Sequence, residues 1–172
     1  MRRLAFLAPL AATLAVAATV QAQPLTTAPD VTVTIGGRLT DEVENLGERD
    51  VQRQADALAG TVRRELARRG AYPGARVNLV LTDLKPNRPT YQQASDKPGL
   101  SIIDSISIGG AAIEGEIITA DGERLPVRYS RYSNSIAEVY GFGTWQDAER
   151  AYDRLASNMV SGRLVSGRPV SR

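Results

Sequence analysis

The chain contains no cysteine and no histidine. Without cysteine there is no disulfide, no thiolate metal site and no residue to carry a lipid anchor, so this is not a conventional lipoprotein. Without histidine there is no His-based triad, no Cys–His dyad, no His-ligated zinc or haem, and no imidazole base near neutral pH. The chemistries left open are carboxylate catalysis, Ser–Lys pairs and oxygen-ligated cations. Lysine is scarce as well: of 21 basic residues only Lys85 and Lys97 are lysines, which reads as codon bias rather than function.

Residues 1–22 have the pattern of an export signal. Arg2 and Arg3 form a positive start, Leu4 to Val20 is an uncharged apolar run, and Val20-Gln21-Ala22 offers small side chains at the two positions a signal peptidase reads. The alternative is an uncleaved membrane anchor, since the run reaches the lower limit of length for spanning a bilayer. Cleavage leaves 150 residues, the size of one ordinary domain, with 19 basic and 19 acidic residues. A mature charge of zero argues against nucleic acid or a strongly anionic surface as the main partner. The expected location is periplasmic or secreted, with no membrane span after cleavage.

Residues 23–30, with two prolines, read as a flexible tether. Val31-Thr32-Val33-Thr34-Ile35 alternates as a half-buried strand does, and Gly36-Gly37 ends it. Residues 38–47 are ambiguous, with a short acidic turn as one reading. From Glu48 to Arg69, Val51, Ala55, Leu58, Ala59, Val62 and Leu66 form a stripe about 100° wide, which predicts a core-facing helix with Gly70 as its C-terminal cap. Arg63, Arg64 and Arg68 lie off that stripe. They complement the helix dipole or form an anion patch, and the first reading is the simpler. Arg76 to Leu84 is a second strand, apolar on both faces because Val80 and Leu84 oppose Val77, Leu79 and Leu81. That places it in the sheet interior, joined to the first strand by a right-handed parallel crossover.

Residues 85–99 carry four prolines or glycines and no periodicity, and read as a loop. Residues 100–108 are apolar at 100, 102, 103, 106 and 108. They fit neither period and are expected to pack on the domain as an irregular or short helical piece, followed by a close-packed Gly109-Gly110 turn. Ala111 to Tyr132 is a hairpin. A two-residue Asp121-Gly122 turn would set Glu116 against Val127 and Glu114 against Tyr129. A three-residue Ala120-Asp121-Gly122 loop instead pairs Ile117 with Leu125, Gly115 with Val127, Ile113 with Tyr129 and Glu114 with Arg128. The second register separates apolar from charged side chains and is the expected one, with Gly122 in the left-handed position. After an aromatic loop with Tyr140 and Phe142, Thr144 and Asp147 suggest an approximate capping box. Trp145, Ala148, Tyr152, Leu155, Ala156 and Met159 form the stripe of a last helix, which Gly162 ends.

The expected fold is α+β: a two-layer sandwich with a mixed four-stranded sheet (β-α-β-β-β-α) and two helices on one face. One domain covers residues 31–162, and a polar tail covers 163–172. No catalytic, cofactor-binding or metal-ligating set is assigned. The densest polar constellation is the Pro-bounded loop, whose Asn87, Arg88, Thr90, Tyr91 and Gln92 are the candidate partner-binding residues; amides and arginine would hydrogen-bond a glycan or peptide while Tyr91 stacks. The alternative is a solvated loop whose amides satisfy its own backbone. Glu114 and Glu116 share one strand face at a spacing that suits paired-carboxylate hydrolysis, but any exposed strand face yields such pairs. Asp104 is an isolated carboxylate on an apolar segment. Gly36-Gly37 and Gly109-Gly110 lack the lysine or spacing of phosphate loops, and Gly141-Phe142-Gly143-Thr144 is more simply a turn and cap than an anion site.

Four stretches carry a family resemblance: Leu84-Lys85-Pro86-Asn87-Arg88-Pro89-Thr90, Pro98-Gly99-Leu100-Ser101, Gly109-Gly110-Ala111, and Thr144-Trp145-Gln146-Asp147-Ala148-Glu149-Arg150. Over residues 31–162 the chain resembles a group of uncharacterised exported proteins of Gram-negative bacteria. More distantly it is similar to envelope lipoprotein domains of unknown function, without their lipid-bearing cysteine. The resemblance implies an exported location and no particular activity. The expected role is a non-enzymatic periplasmic domain that binds or supports another envelope component, protein or glycan. The alternatives are a carboxylate-based hydrolase of envelope glycan or ester, and a structural subunit of an envelope complex. A binding module should show a pocket near Tyr91; a subunit should show a large apolar patch on the uncovered sheet face.

Overall fold

A computed structural model describes residues 27–166 except Tyr140 and Phe142. The signal-like segment, the start of the tether, those two aromatics and residues 167–172 lie outside the described residues. The elements are β1 (Asp30–Ile35), α1 (Leu39–Leu46), α2 (Glu48–Arg69), β2 (Arg76–Lys85), α3 (Tyr91–Asp96), β3 (Gly110–Ile118), β4 (Arg124–Tyr132), a 3-10 turn (Ile136–Glu138), α4 (Gln146–Val160) and β5 (Val165–Ser166). Among these residues no helix is long and apolar enough to cross a membrane.

The fold is α+β, built on one mixed sheet of five strands in the order β1-β2-β3-β4-β5. β1 and β2 are parallel, β2–β3 and β3–β4 antiparallel, and β4–β5 parallel. The expected parallel crossover is present, and α2 has the expected limits, with Gly70 at φ 61° as its cap. Val51, Leu58, Val62 and Leu66 of α2 and Ala148, Tyr152, Leu155 and Met159 of α4 are buried in one cluster with Val77, Leu79, Leu81, Ile113, Ile117 and Val127 of the sheet. Two amphipathic helices thus cover one sheet face. The opposite face carries Thr32, Asn78, Glu114 and Arg128, with Thr32 Oγ1 donating to Asn78 Oδ1 at 3.0 Å.

Three expectations about the architecture need correction. Among the described residues the sheet has five strands, because Leu164 packs on the core and Val165–Ser166 pairs with Arg128–Tyr129; two residues are too short to leave a periodicity. Among the described residues the α-helices number four, because residues 39–46 form α1, with Leu39 and Leu46 buried, and residues 91–96 form α3 inside the supposed loop. The tether stops short of residue 30: Gly74 N donates to Thr27 O at 2.8 Å, and Asp30 already belongs to β1.

The hairpin adopts the expected register, with Ile117 opposite Leu125, Gly115 opposite Val127, Ile113 opposite Tyr129 and Glu114 opposite Arg128. Gly122 lies at φ 90°. Gly115 answers to crowding, since a Cβ there would sit 2.1 Å from Asn78 O.

β2 is interior, though not for the reason its pattern gave. The ladder shifts register between Leu81 and Asp83, which makes Thr82 a bulge. Such an extra residue reverses the faces of everything after it. Leu84 therefore joins the core, and Asp83 moves to the opposite side. There the Asp83 carboxylate accepts from Tyr132 Oη at 2.7 Å and Arg38 Nη2 at 3.0 Å. Burial, and then the bond to Asp83, hold the Tyr132 hydroxyl well above the usual phenol range.

Candidate functional site

The five residues expected to contact a partner divide sharply. Asn87 is 1% exposed, Arg88 6% and Thr90 2%, whereas Tyr91 is 80% exposed and Gln92 is also at the surface. The first three are therefore internal supports rather than contact residues. Thr90 opens α3 through a complete capping box: its side chain accepts from Gln93 N at 3.1 Å, and Gln93 Oε1 accepts from Thr90 N at 3.1 Å. That Thr-x-x-Gln signal was legible at positions 90–93 and marks the helix that breaks the loop.

Asn87 is the knot of this region. Its backbone N–H donates to Thr144 O at 2.7 Å, and its carbonyl accepts from Ser107 N at 2.8 Å. Its side-chain Nδ2 donates to Asp147 Oδ2 at 2.6 Å and to Ser107 O at 3.3 Å, while Oδ1 accepts from Asp147 N at 2.9 Å. The amide lies so close over Gly109 that a Cβ there would meet it at 2.5 Å, which accounts for one member of the Gly109-Gly110 pair. One side chain thereby ties the exit of β2, the segment before β3 and the start of α4.

Asp147 is the second correction. It is not part of a capping box with Thr144, since Trp145 holds the N-cap position and no side chain caps there. It is buried, and its carboxylate accepts from Asn87, from Ser133 Oγ at 2.6 Å and from Arg150 Nη1 at 3.0 Å. Burial pushes its pKa up, but the hydrogen bonds from Ser133, Asn87 and Arg150 outweigh it, so the net shift is downward.

These buried groups hold the segment 100–108. Arg88 Nη1 donates to Ile103 O, and Ser107 Oγ donates to Pro86 O at 2.6 Å. Ser101 Oγ accepts from Asp104 N at 3.0 Å and donates to Asp104 Oδ2 at 2.8 Å, so the isolated Asp104 closes a turn. The backbone is fixed, yet the isoleucines are not covered. Ile103 is 76% exposed, and Ile106 and Ile108 are also exposed, as is Ile136 in the 3-10 turn. The expectation that residues 100–108 pack on the domain fails for these three side chains. Their lack of periodicity was the available signal: they match no face because no face of the domain receives them.

Tyr91 and Gln92 border an open cleft of about 420 Å³ shared with Gly47, Glu48, Arg49, Asp50 and Arg53. Another furrow, of about 330 Å³, runs beside α4 between Arg131, Arg150, Asp153, Arg154 and Ser157. A third, of about 440 Å³, brings Arg64 and Arg68 of α2 beside α4; there Arg68 pairs with Glu65 at 2.6 Å and Arg64 bonds Thr61, so these arginines largely serve their own helix. Glu114 and Glu116 do not face each other as an acid and base would. Glu116 pairs with Arg124 at 2.8 Å and Glu114 with Arg128 at 3.3 Å. Among the described residues no three acidic groups gather as a metal set. No protein-family model matches the chain, and no curated protein matches it.

Proposed function

We propose that the chain is an exported, non-enzymatic domain that binds or supports another component of the cell envelope. Its contact surface is the isoleucine-bearing segment 100–108, with the exposed Tyr91 surface as a second element. The carrying observation is the disposition of segment 100–108. Buried Asn87 and Arg88 fix its backbone while Ile103, Ile106 and Ile108 remain exposed. Burying polar and charged side chains costs free energy unless they are bonded, and exposing large aliphatic side chains together marks interaction surfaces. A rigid backbone also lowers the entropy lost when a partner binds.

The rival readings have less support. A structural subunit joined through its uncovered sheet face needs an apolar patch, and that face carries Thr32, Asn78, Glu114 and Arg128. A carboxylate hydrolase needs two acids across a cleft, and Glu114 and Glu116 are each held by an arginine. The test replaces Ile103, Ile106 and Ile108 together by serine. The expected result is loss of the component that co-purifies with the tagged protein from its producing cells, at an unchanged denaturation midpoint. Retention of that component by the triple variant would refute the reading.

A further inference from the structure

Among the described residues β1 is an edge strand, with β2 on one side only. Its even-numbered residues face β2: Asp30 N donates to Ala75 O at 2.9 Å and Gly36 N to Leu81 O at 3.1 Å. Val31, Val33 and Ile35 therefore turn both their N–H and C=O groups outward. Among the described residues, one of these six groups has a partner, Val31 O, which accepts from Arg63 Nη2 at 2.9 Å. Apart from that arginine the edge is little protected, for the strand itself has no proline, no lysine, no bulge and no charge between residues 31 and 35. β2 and α2 are the elements packed against it, and Val33 and Ile35 remain half-buried.

We propose that two copies of this chain pair through β1, antiparallel, about a two-fold axis at Val33, forming one continuous ten-stranded sheet. In this register Val33 faces the partner's Val33, Val31 faces the partner's Ile35, and Thr32 faces the partner's Thr34. Between residues 31 and 35 each cross-strand pair joins like with like, and no charge is buried.

The helix above the strand selects a second copy over a foreign strand. α2 runs antiparallel to β1, because it returns the chain to the start of the parallel β2. Arg63 stands over Val31. Two residues along β1 advance about 6.6 Å, which is roughly four residues of helix, so Ala59 stands near Val33 and the axis. The two-fold axis then brings the α2 helices side by side, with a small residue at their closest approach. Asp56 and Arg63 lie about one turn to either side of that point. Asp56 of one copy thus approaches the partner's Arg63, and the reverse, as an isologous interface requires. Neither residue has an ion pair within the described monomer. Any strand could satisfy the backbone edge, but only a second α2 supplies this reciprocal charge.

The absence of cysteine makes the register testable. In Val33→Cys the two thiols sit at a hydrogen-bonded antiparallel pair, with Cα atoms about 5.5 Å apart, within disulfide range. In Ile35→Cys they are four residues out of register, about 13 Å apart, and cannot join. Mild oxidation should cross-link Val33→Cys to a dimer and leave Ile35→Cys monomeric. Sedimentation of the unsubstituted protein should show a concentration-dependent dimer. Val33→Pro removes one outward N–H and no β1–β2 bond, and Thr34→Lys adds an edge charge. Each should weaken the dimer at least about tenfold while circular dichroism reports an intact fold. A protein that sediments as a monomer at every concentration reached overturns the proposal. So does a folded Val33→Cys that does not cross-link, or a dimer unaffected by both edge substitutions.

Discussion

Asn87→Ala separates a supporting role for this residue from a contact role. The substitution deletes a bond to the Asp147 carboxylate at 2.6 Å, a bond from Asp147 N at 2.9 Å and a longer one to Ser107 O at 3.3 Å. A hydrogen bond to a charged group contributes about 1.5–3 kcal/mol, and a neutral one about 0.5–1.5 kcal/mol. The Asp147 N–H is left buried without its acceptor, and the carboxylate keeps Ser133 and Arg150. The expected loss is about 3–5 kcal/mol, read as a lower urea midpoint at unchanged slope. Asn87→Asp keeps the shape but sets a second carboxylate against Asp147, so it should also destabilise, and recover partly in acid. A loss within about 0.5 kcal/mol for Asn87→Ala, the range for an exposed loop residue, would refute the reasoning.

The same logic changes the outlook for its neighbours. Arg88→Ala should destabilise, because Arg88 is buried and holds Ile103 O, whereas Tyr91→Ala should leave the melting temperature nearly unchanged. Leu58→Ala and Leu155→Ala remove fully buried side chains and should each cost roughly 2–5 kcal/mol by urea denaturation. Gly115→Ala should cost at least about 2 kcal/mol, since its Cβ would meet Asn78 O at 2.1 Å; a neutral effect would show that β2 and β3 are further apart than described. Asp147 has a folded-state pKa below its unfolded one, so its contribution to stability is present above the unfolded value and is lost as pH falls through the folded value. Asp147→Asn should be less stable at neutral pH and show a smaller further loss in acid, measured as midpoint against pH.

The helices and hairpin were legible because their signals are local and redundant. Six apolar residues at helical spacing fix α2, and only one hairpin register keeps Glu114 and Arg128 away from Ile113 and Tyr129. What failed to show depended on partners distant in sequence. Leu84 occupies the wrong face in an unbroken alternation, and only the bulge at Thr82, opposite β3, corrects it. β5 exists through pairing with β4 rather than through any property of Val165-Ser166. Asn87 and Arg88 look like solvent-facing polar residues between prolines, because nothing local announces Asp147 sixty positions later or the Ile103 carbonyl. Thr90–Gln93 was a readable capping box that the surrounding prolines obscured. The isoleucines of residues 100–108 looked destined for the core because apolar composition predicts burial on average, and a contact surface is where that average fails.

The proposed contact surface is tested most directly by introducing a photo-activated cross-linking residue at position 103 in the living cell, with position 123 as the control. Glu123 lies on the exposed hairpin turn, away from the isoleucine segment. Illumination should yield one discrete adduct in the envelope fraction from position 103 and none from position 123. Equal labelling from both positions, or none from 103 in folded protein, would contradict the account.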